Sequence, residues 1–135
     1  MNILRHITVL VKDQEDALRF YTEKLGFVKR EDQLIWMDTI RWLTVSPKNQ
    51  QETLISLVKA EPEDLPMVGK QSGNLVLMTI LTDDVEKDYQ ELKDRGVNFM
   101  LGPEEQSWGT EAVFEDLYGN RYDLIQRPKT AEEKL

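Results

Sequence analysis

The 135-residue chain contains no cysteine and only one histidine, His6. Without thiols there is no disulfide framework, no thiolate nucleophile and no sulfur-ligated metal. No apolar run approaches the roughly 20 residues that a membrane-spanning helix needs, and the start carries no leader pattern. The sequence is therefore read as cytoplasmic, with no membrane partner and with its first residues leading straight into an alternating, strand-like stretch. Basic clusters are also missing. Against 25 Asp and Glu there are 17 Lys and Arg, for a formal charge of −8. Nucleic acid is excluded as a partner, because phosphate binding needs a clustered basic surface. The acidic excess is read as solubility. Phosphate-cradling glycine loops, a Ser-His-Asp arrangement and paired catalytic carboxylates at defined spacing are not recognisable.

What is present is a composition ordinary for a globular protein, 40% hydrophobic and 31% charged, at a length that fits one domain with a core. It also holds an internal repeat. Val11-Lys12-Asp13 opens a helical pattern that ends at Leu25-Gly26-Phe27, and Leu81-Thr82-Asp83-Asp84 opens a second that ends at Arg95-Gly96-Val97. The interval from Asp13 to Gly26 equals that from Asp83 to Gly96. Each copy reads as strand, acidic cap, helix, glycine stop, strand. Ala17, Leu18, Tyr21 and Leu25 form one apolar stripe; Val85, Tyr89 and Leu92 form the other.

Alternation then predicts strands over about 27–31, 34–38, 41–46 and 53–59 in the first copy, and over about 98–101, 110–116 and 121–126 in the second. Leu117-Tyr118-Gly119-Asn120 reads as a hairpin turn. The segment 60–73, with Pro62, Pro66 and Gly69, reads as a linker. The expected organisation is α+β: two tandem βαβββ modules, 3–59 and 74–127, and a solvated tail, 128–135. One such unit has a helix on one sheet face only, so its other face needs a second copy. Two curved half-sheets would make an incomplete barrel around a cavity suited to a small-molecule ligand.

The run from His6-Ile7-Thr8-Val9-Leu10-Val11-Lys12-Asp13 through Phe20-Tyr21 to Leu25-Gly26-Phe27 carries a resemblance to a known family. So do Thr82-Asp83-Asp84-Val85 through Arg95-Gly96-Val97, and Val113-Phe114-Glu115-Asp116-Leu117-Tyr118-Gly119-Asn120-Arg121-Tyr122-Asp123-Leu124. Together, over about residues 4–127, they resemble the vicinal oxygen chelate superfamily of glyoxalases, bleomycin-resistance proteins and extradiol dioxygenases. Arg41-Trp42 and Gly109-Thr110-Glu111-Ala112 look most like its small stand-alone members.

The resemblance implies a homodimer, and in the superfamily's enzymes one divalent metal chelating two neighbouring substrate oxygens. The four ligand places fall on His6, Ser56, Leu77 and Asp123. Histidine is a good ligand, and aspartate reaches less far than the more usual glutamate. A serine hydroxyl is poor, and leucine cannot ligate. Asn74 is the nearest polar alternative to Leu77. The expectation is no cofactor, or one divalent metal held in part by His6 and Asp123.

Strand alternation puts Thr8 and Leu10 on the His6 face, Leu54 and Val58 with Ser56, Leu75, Thr79 and Leu81 with Leu77, and Arg121 and Ile125 with Asp123. That lining is mainly apolar and suits a hydrophobic or aromatic ligand with a polar handle. Trp36, Trp42 and Trp108 could stack on it, Trp108 as a pocket edge, and Arg41 could fork a carboxylate. The ligand-contact candidates are thus Thr8, Leu10, Arg41, Trp42, Leu54, Ser56, Leu77, Thr79, Trp108 and Ile125. Glu111 is read as outward-facing, without a role. For His6 three readings stay open: a strand histidine bonded to Asp123, a general base or pH-sensitive ligand contact, or a metal ligand. The function expected is metal-independent binding of a small ligand. The alternative is a divalent-metal-dependent lyase, isomerase or ring-cleaving dioxygenase that uses His6 and Asp123 as catalytic residues.

Overall fold

In the computed structural model, which describes residues 1–128, the chain divides into two compact units with the boundary between Gln71 and Ser72. The expected tail lies, from residue 129 on, outside the described residues. The first unit runs β1 (His6–Val11), α1 (Gln14–Arg19), a π turn (Phe20–Lys24), β2 (Val28–Ile35), β3 (Ile40–Ser46) and β4 (Leu54–Lys59), and then a 3₁₀ segment (Pro62–Met67). The second runs β5 (Val76–Leu81), α2 (Val85–Asp94), β6 (Asn98–Gln106), β7 (Gly109–Glu115) and β8 (Arg121–Gln126). Each unit holds a four-stranded mixed sheet, ordered β1-β4-β3-β2 and β5-β8-β7-β6. In both, the outer first strand lies parallel to the last, and the other pairings are antiparallel. This is an α+β fold of two tandem βαβββ modules. Among the described residues, no helix is long and apolar enough to cross a membrane.

The helices begin where a carboxylate can accept a free first-turn N–H. Asp13 accepts from the amide of Asp16 at 2.8 Å, and Asp84 accepts from that of Lys87 at 3.1 Å. The second cap is therefore Asp84 and not Asp83, so the two intervals to glycine are unequal. The first is one residue longer, and that residue is absorbed as the π turn, in which the Leu25 amide donates to the Phe20 carbonyl. A single extra residue in a helix is commonly taken up this way. It also alters the stripe: Phe20 and Tyr21, adjacent in sequence, are both buried, while Leu18 and Leu25 are only half-buried. Gly26 and Gly96 end the helical segments at φ 76° and 91°.

In the first sheet, Val9, Val11, Leu43, Val45, Ile55 and Leu57 are buried along with Ala17 and Tyr21 of the helical segment. In the second, Tyr89, Phe99, Phe114 and Tyr122 form a chain of ring contacts, from 4.6 Å between Tyr89 and Phe99 to a stacked pair at 5.3 Å between Phe114 and Tyr122. The unpaired edge of β1 is covered locally. The Gln71 side-chain amide accepts from the Leu10 amide at 2.6 Å and donates to the Thr8 carbonyl at 2.9 Å, standing in for a neighbouring strand.

Two strands are longer than their patterns suggest. The predicted stretch 27–31 and the start of 34–38 are one strand, β2, because the polar residues between them stay in the ladder: Asp32 lies opposite Leu43 and Gln33 opposite Trp42; residues 36–38 instead form the turn to β3. Likewise β6 continues through Pro103 to Gln106, at a sheet edge and across an irregularity between Leu101 and Glu104. Those are the places where a strand tolerates proline.

Arg41 explains the continuity of β2. Its guanidinium donates through Nε and Nη2 to the two carboxylate oxygens of Asp32, at 2.8 and 2.9 Å, and through Nη1 to Glu15 of α1 at 2.9 Å. The hydrogen bond from Arg41, more than its charge, lowers the Asp32 pKa from 3.8 to about 2. A carboxylate whose folded pKa is depressed stabilises the fold fully above the unfolded value and loses that contribution as pH falls toward the folded one. The urea midpoint of the wild type is therefore expected to drop more steeply between about pH 4 and pH 2 than that of Asp32→Asn. Parallel pH profiles would refute the clamp.

Candidate functional site

The sheet face of the first unit opposite its helical segment carries a transverse polar row. Thr8 lies opposite Ser56, Ser56 opposite Thr44, and Thr44 opposite Glu31, so the row crosses all four strands. Glu31 joins it through a bulge. The ladder shifts between Lys29 and Glu31, which leaves Arg30 as the extra residue. One extra residue reverses which side chains face which way. Glu31 Oε1 accepts from Trp42 Nε1 at 3.0 Å and from the Thr44 hydroxyl at 3.1 Å. Its Oε2 lies 3.6 Å from Arg5 Nη2, in a pair with side chains 34% and 56% exposed. Such an exposed pair holds the carboxylate only weakly.

His6, one step along the sheet and opposite Leu54, is exposed. Its ring meets Trp42 edge to face, with centroids 4.9 Å apart and planes at 80°. Leu54 and Ser56 are buried, Leu10 is half-buried and Thr8 is exposed. The Ser56 hydroxyl is buried with no hydrogen-bond partner among the described residues. A buried unpaired hydroxyl costs about 1–3 kcal/mol.

The structure thus brings His6, Trp42, Thr8, Leu54 and Ser56 together on one half-sheet. Arg41 does not join them. It lies on the other face, with its fork already filled by Asp32 and Glu15. Glu31 is the residue that strand patterning missed, since unbroken alternation carries no sign of the bulge. Trp36 sits in the β2–β3 turn, 73% exposed, with Trp36, Met37 and Asp38 all at positive φ.

In the second unit Thr79 lies opposite Asp123, Leu81 opposite Ile125, and Ile125 opposite Glu111. Leu77 falls at the irregularity between Val76 and Met78 and is half-buried. Trp108, in the two-residue turn between β6 and β7, donates from Nε1 to Glu111 at 2.7 Å. Glu111 therefore shares a face with Asp123 and is tied to the turn. Asp123 Oδ1 is buried and has no hydrogen-bond partner among the described residues. Burial first, and the nearby negative charge of Glu111 second, raise the Asp123 pKa above its ordinary 3.8.

The sign of that shift gives a prediction. The folded protein binds the Asp123 proton more tightly than the unfolded chain does, so ionised Asp123 opposes folding once pH rises through the folded pKa. Asp123→Asn is expected to be more stable than the wild type at neutral pH, with the difference closing in acid below about pH 3.8. Urea unfolding at both pH values tests this, and a less stable variant at neutral pH would contradict it.

For metal binding, the donor chemistry is thin. Of the four strand places, Ser56 and Leu77 offer no strong donor, and the ring neighbour of His6 is an indole. Among the described residues, no group of three or more histidine, aspartate or glutamate side chains is placed to hold a metal ion.

Two βαβββ modules in tandem, each returning its last strand beside its first, define the class of α+β protein to which this chain belongs. The chain is a member of the Glyoxalase/Bleomycin resistance protein/Dioxygenase superfamily, whose family model matches residues 3–124. An uncharacterized protein of Shewanella frigidimarina (strain NCIMB 400) is 40% identical over 122 residues, covering 90% of each chain. Among solved structures, UcmS2 superposes with a TM-score of 0.82 at 34% identity, over 93% of this chain and 98% of that one. TnmS3, an antibiotic binding protein from Streptomyces sp. CB03234, superposes with a TM-score of 0.78 at 36% identity, over 95% of this chain and 98% of that one.

Proposed function

We propose that the protein binds a small, mainly apolar or aromatic ligand without a complete metal site. The observation that carries this reading is the sheet face of the first unit opposite its helical segment, where the His6 and Trp42 rings, exposed and half-buried, meet edge to face beside a hydroxyl-bearing row. Flat aromatic surface with a few convergent polar groups is the composition of a small-molecule site. The antibiotic-binding description of TnmS3 supports a ligand of drug size. Within the second unit by itself, Thr79, Asp123 and Trp108 are proposed as ligand contacts. A cytoplasmic homodimer belongs to the same proposal, and its molar mass by light scattering checks the dimer.

The test uses protein stripped of metal by chelator. Acridine and 2-naphthol serve as planar probes, followed by tryptophan fluorescence and calorimetry. Micromolar binding is expected, and Trp42→Ala is expected to weaken it about tenfold, the scale of one aromatic contact. Metal analysis of protein purified without chelator tests the enzyme alternative. Stoichiometric metal that disappears in His6→Ala would overturn the proposal.

A further inference from the structure

We infer that Glu31 is a specificity-determining residue that selects ligands offering a hydrogen-bond donor, a phenolic O–H or an amine N–H, over ligands of the same shape offering only an acceptor. The inference rests on the proposed binding of aromatic ligands at this face. It starts from the bulge at Arg30, which turns Glu31, itself half-buried, onto the face opposite the helical segment, across from Thr44. There the two carboxylate oxygens have different surroundings. Oε1 accepts two bonds, from the Trp42 indole and the Thr44 hydroxyl. Those bonds fix the plane of the carboxylate next to the ring that meets His6. Among the described residues Oε2 has only Arg5, at 3.6 Å, beyond hydrogen-bond length, in a solvent-exposed pair.

An ionised carboxylate accepts and never donates. A ring seated against Trp42 with a donor on its edge can place that donor on Oε2 and form a charge-assisted bond, roughly twice as strong as a neutral one. An ether or carbonyl oxygen in the same place meets lone pairs. The remainder of the row does not reverse the preference. The Thr44 hydroxyl is committed to Glu31, and the unpaired Ser56 hydroxyl, which can donate or accept, is buried behind it in the row.

A matched pair of probes isolates the effect: 2-naphthol, which has a donor, and 2-methoxynaphthalene, which has the same ring system and only an acceptor. Calorimetry on metal-free wild-type protein is expected to show 2-naphthol bound about tenfold more tightly. In Glu31→Gln, the amide oxygen can keep the Trp42 and Thr44 bonds while the amide nitrogen presents a donor. The preference is then expected to shrink to within about threefold, or to reverse. Thermal melting of both proteins checks that the fold is kept. Equal wild-type affinity for the two probes overturns the inference and leaves aromatic binding standing. A tenfold preference that survives in Glu31→Gln also overturns it. If the wild type binds neither probe, both readings fall together. The wild-type comparison decides the matter even where the variant does not fold.

Discussion

Gly109→Ala is expected to lose about 3 kcal/mol or more of unfolding free energy, read as a shift of the urea midpoint without a change in slope. Gly109 opens β7 at φ 138°, a backbone region that side-chain-bearing residues rarely adopt. A Cβ there would sit 2.3 Å from the Gln126 carbonyl oxygen, 3.1 Å from its carbon and 3.3 Å from the Arg127 Cα. All three are backbone atoms, so no side chain can swing away. Relief requires β7 to part from the end of β8, where Thr110 pairs with Gln126. The same movement would displace the turn that carries Trp108 and its bond to Glu111. Gly102→Ala is the control. Its Cβ would meet the Tyr89 hydroxyl and ring first, at 3.5 Å or more, an ordinary contact without a positive φ, and a change within about 1 kcal/mol is expected. Similar losses at the two positions would refute the steric account.

Asp116→Ala is expected to have an effect of comparable size, about 3 kcal/mol. The β7–β8 connection was legible as a glycine-bearing turn, but the structure shows that the aspartate before it holds it closed. Asp116 is 5% exposed; its Oδ1 accepts from the Tyr118 amide and the Asn120 amide, both at 2.9 Å, and its Oδ2 accepts from the Asn120 side chain at 2.9 Å. Alanine would strand the buried Asn120 side chain and the two backbone donors together, and unmet buried donors cost about 1–3 kcal/mol each. Asp116→Asn keeps an acceptor for the backbone amides but sets an amide donor against that of Asn120, so an intermediate loss is expected. An alanine variant as stable as the wild type would show that the turn closes without these bonds.

Much of the fold was legible for local reasons. Asp13 caps because a carboxylate three residues before a free amide reaches it, and Gly26 and Gly96 end helical segments because they accept positive φ. Val9 and Val11 are buried while His6 and Thr8 are exposed, as a period of two requires. Arg41 could have been read better, since the same alternation puts it with the buried Leu43 and Val45, on the face away from Trp42. The cap at Asp84 was a choice between adjacent aspartates, and only the geometry of the first turn separates them.

The sequence by itself determined the pair of βαβββ modules, the alternation that assigns strand side chains to two faces, and the tryptophan and histidine placed on one face of the first sheet. Only the tertiary structure decided what surrounds those rings. Whether Arg30 or Glu31 faces Trp42 depends on which residue the β2–β3 ladder leaves out, and that follows from the register of β3 against β2, set by neighbours far along the chain. Because side chains alternate with a period of two, one omitted residue inverts every assignment up to the bulge relative to those beyond it. The residue with the most direct hydrogen bonds to the candidate site, Glu31, was for that reason the one that strand patterning could not see.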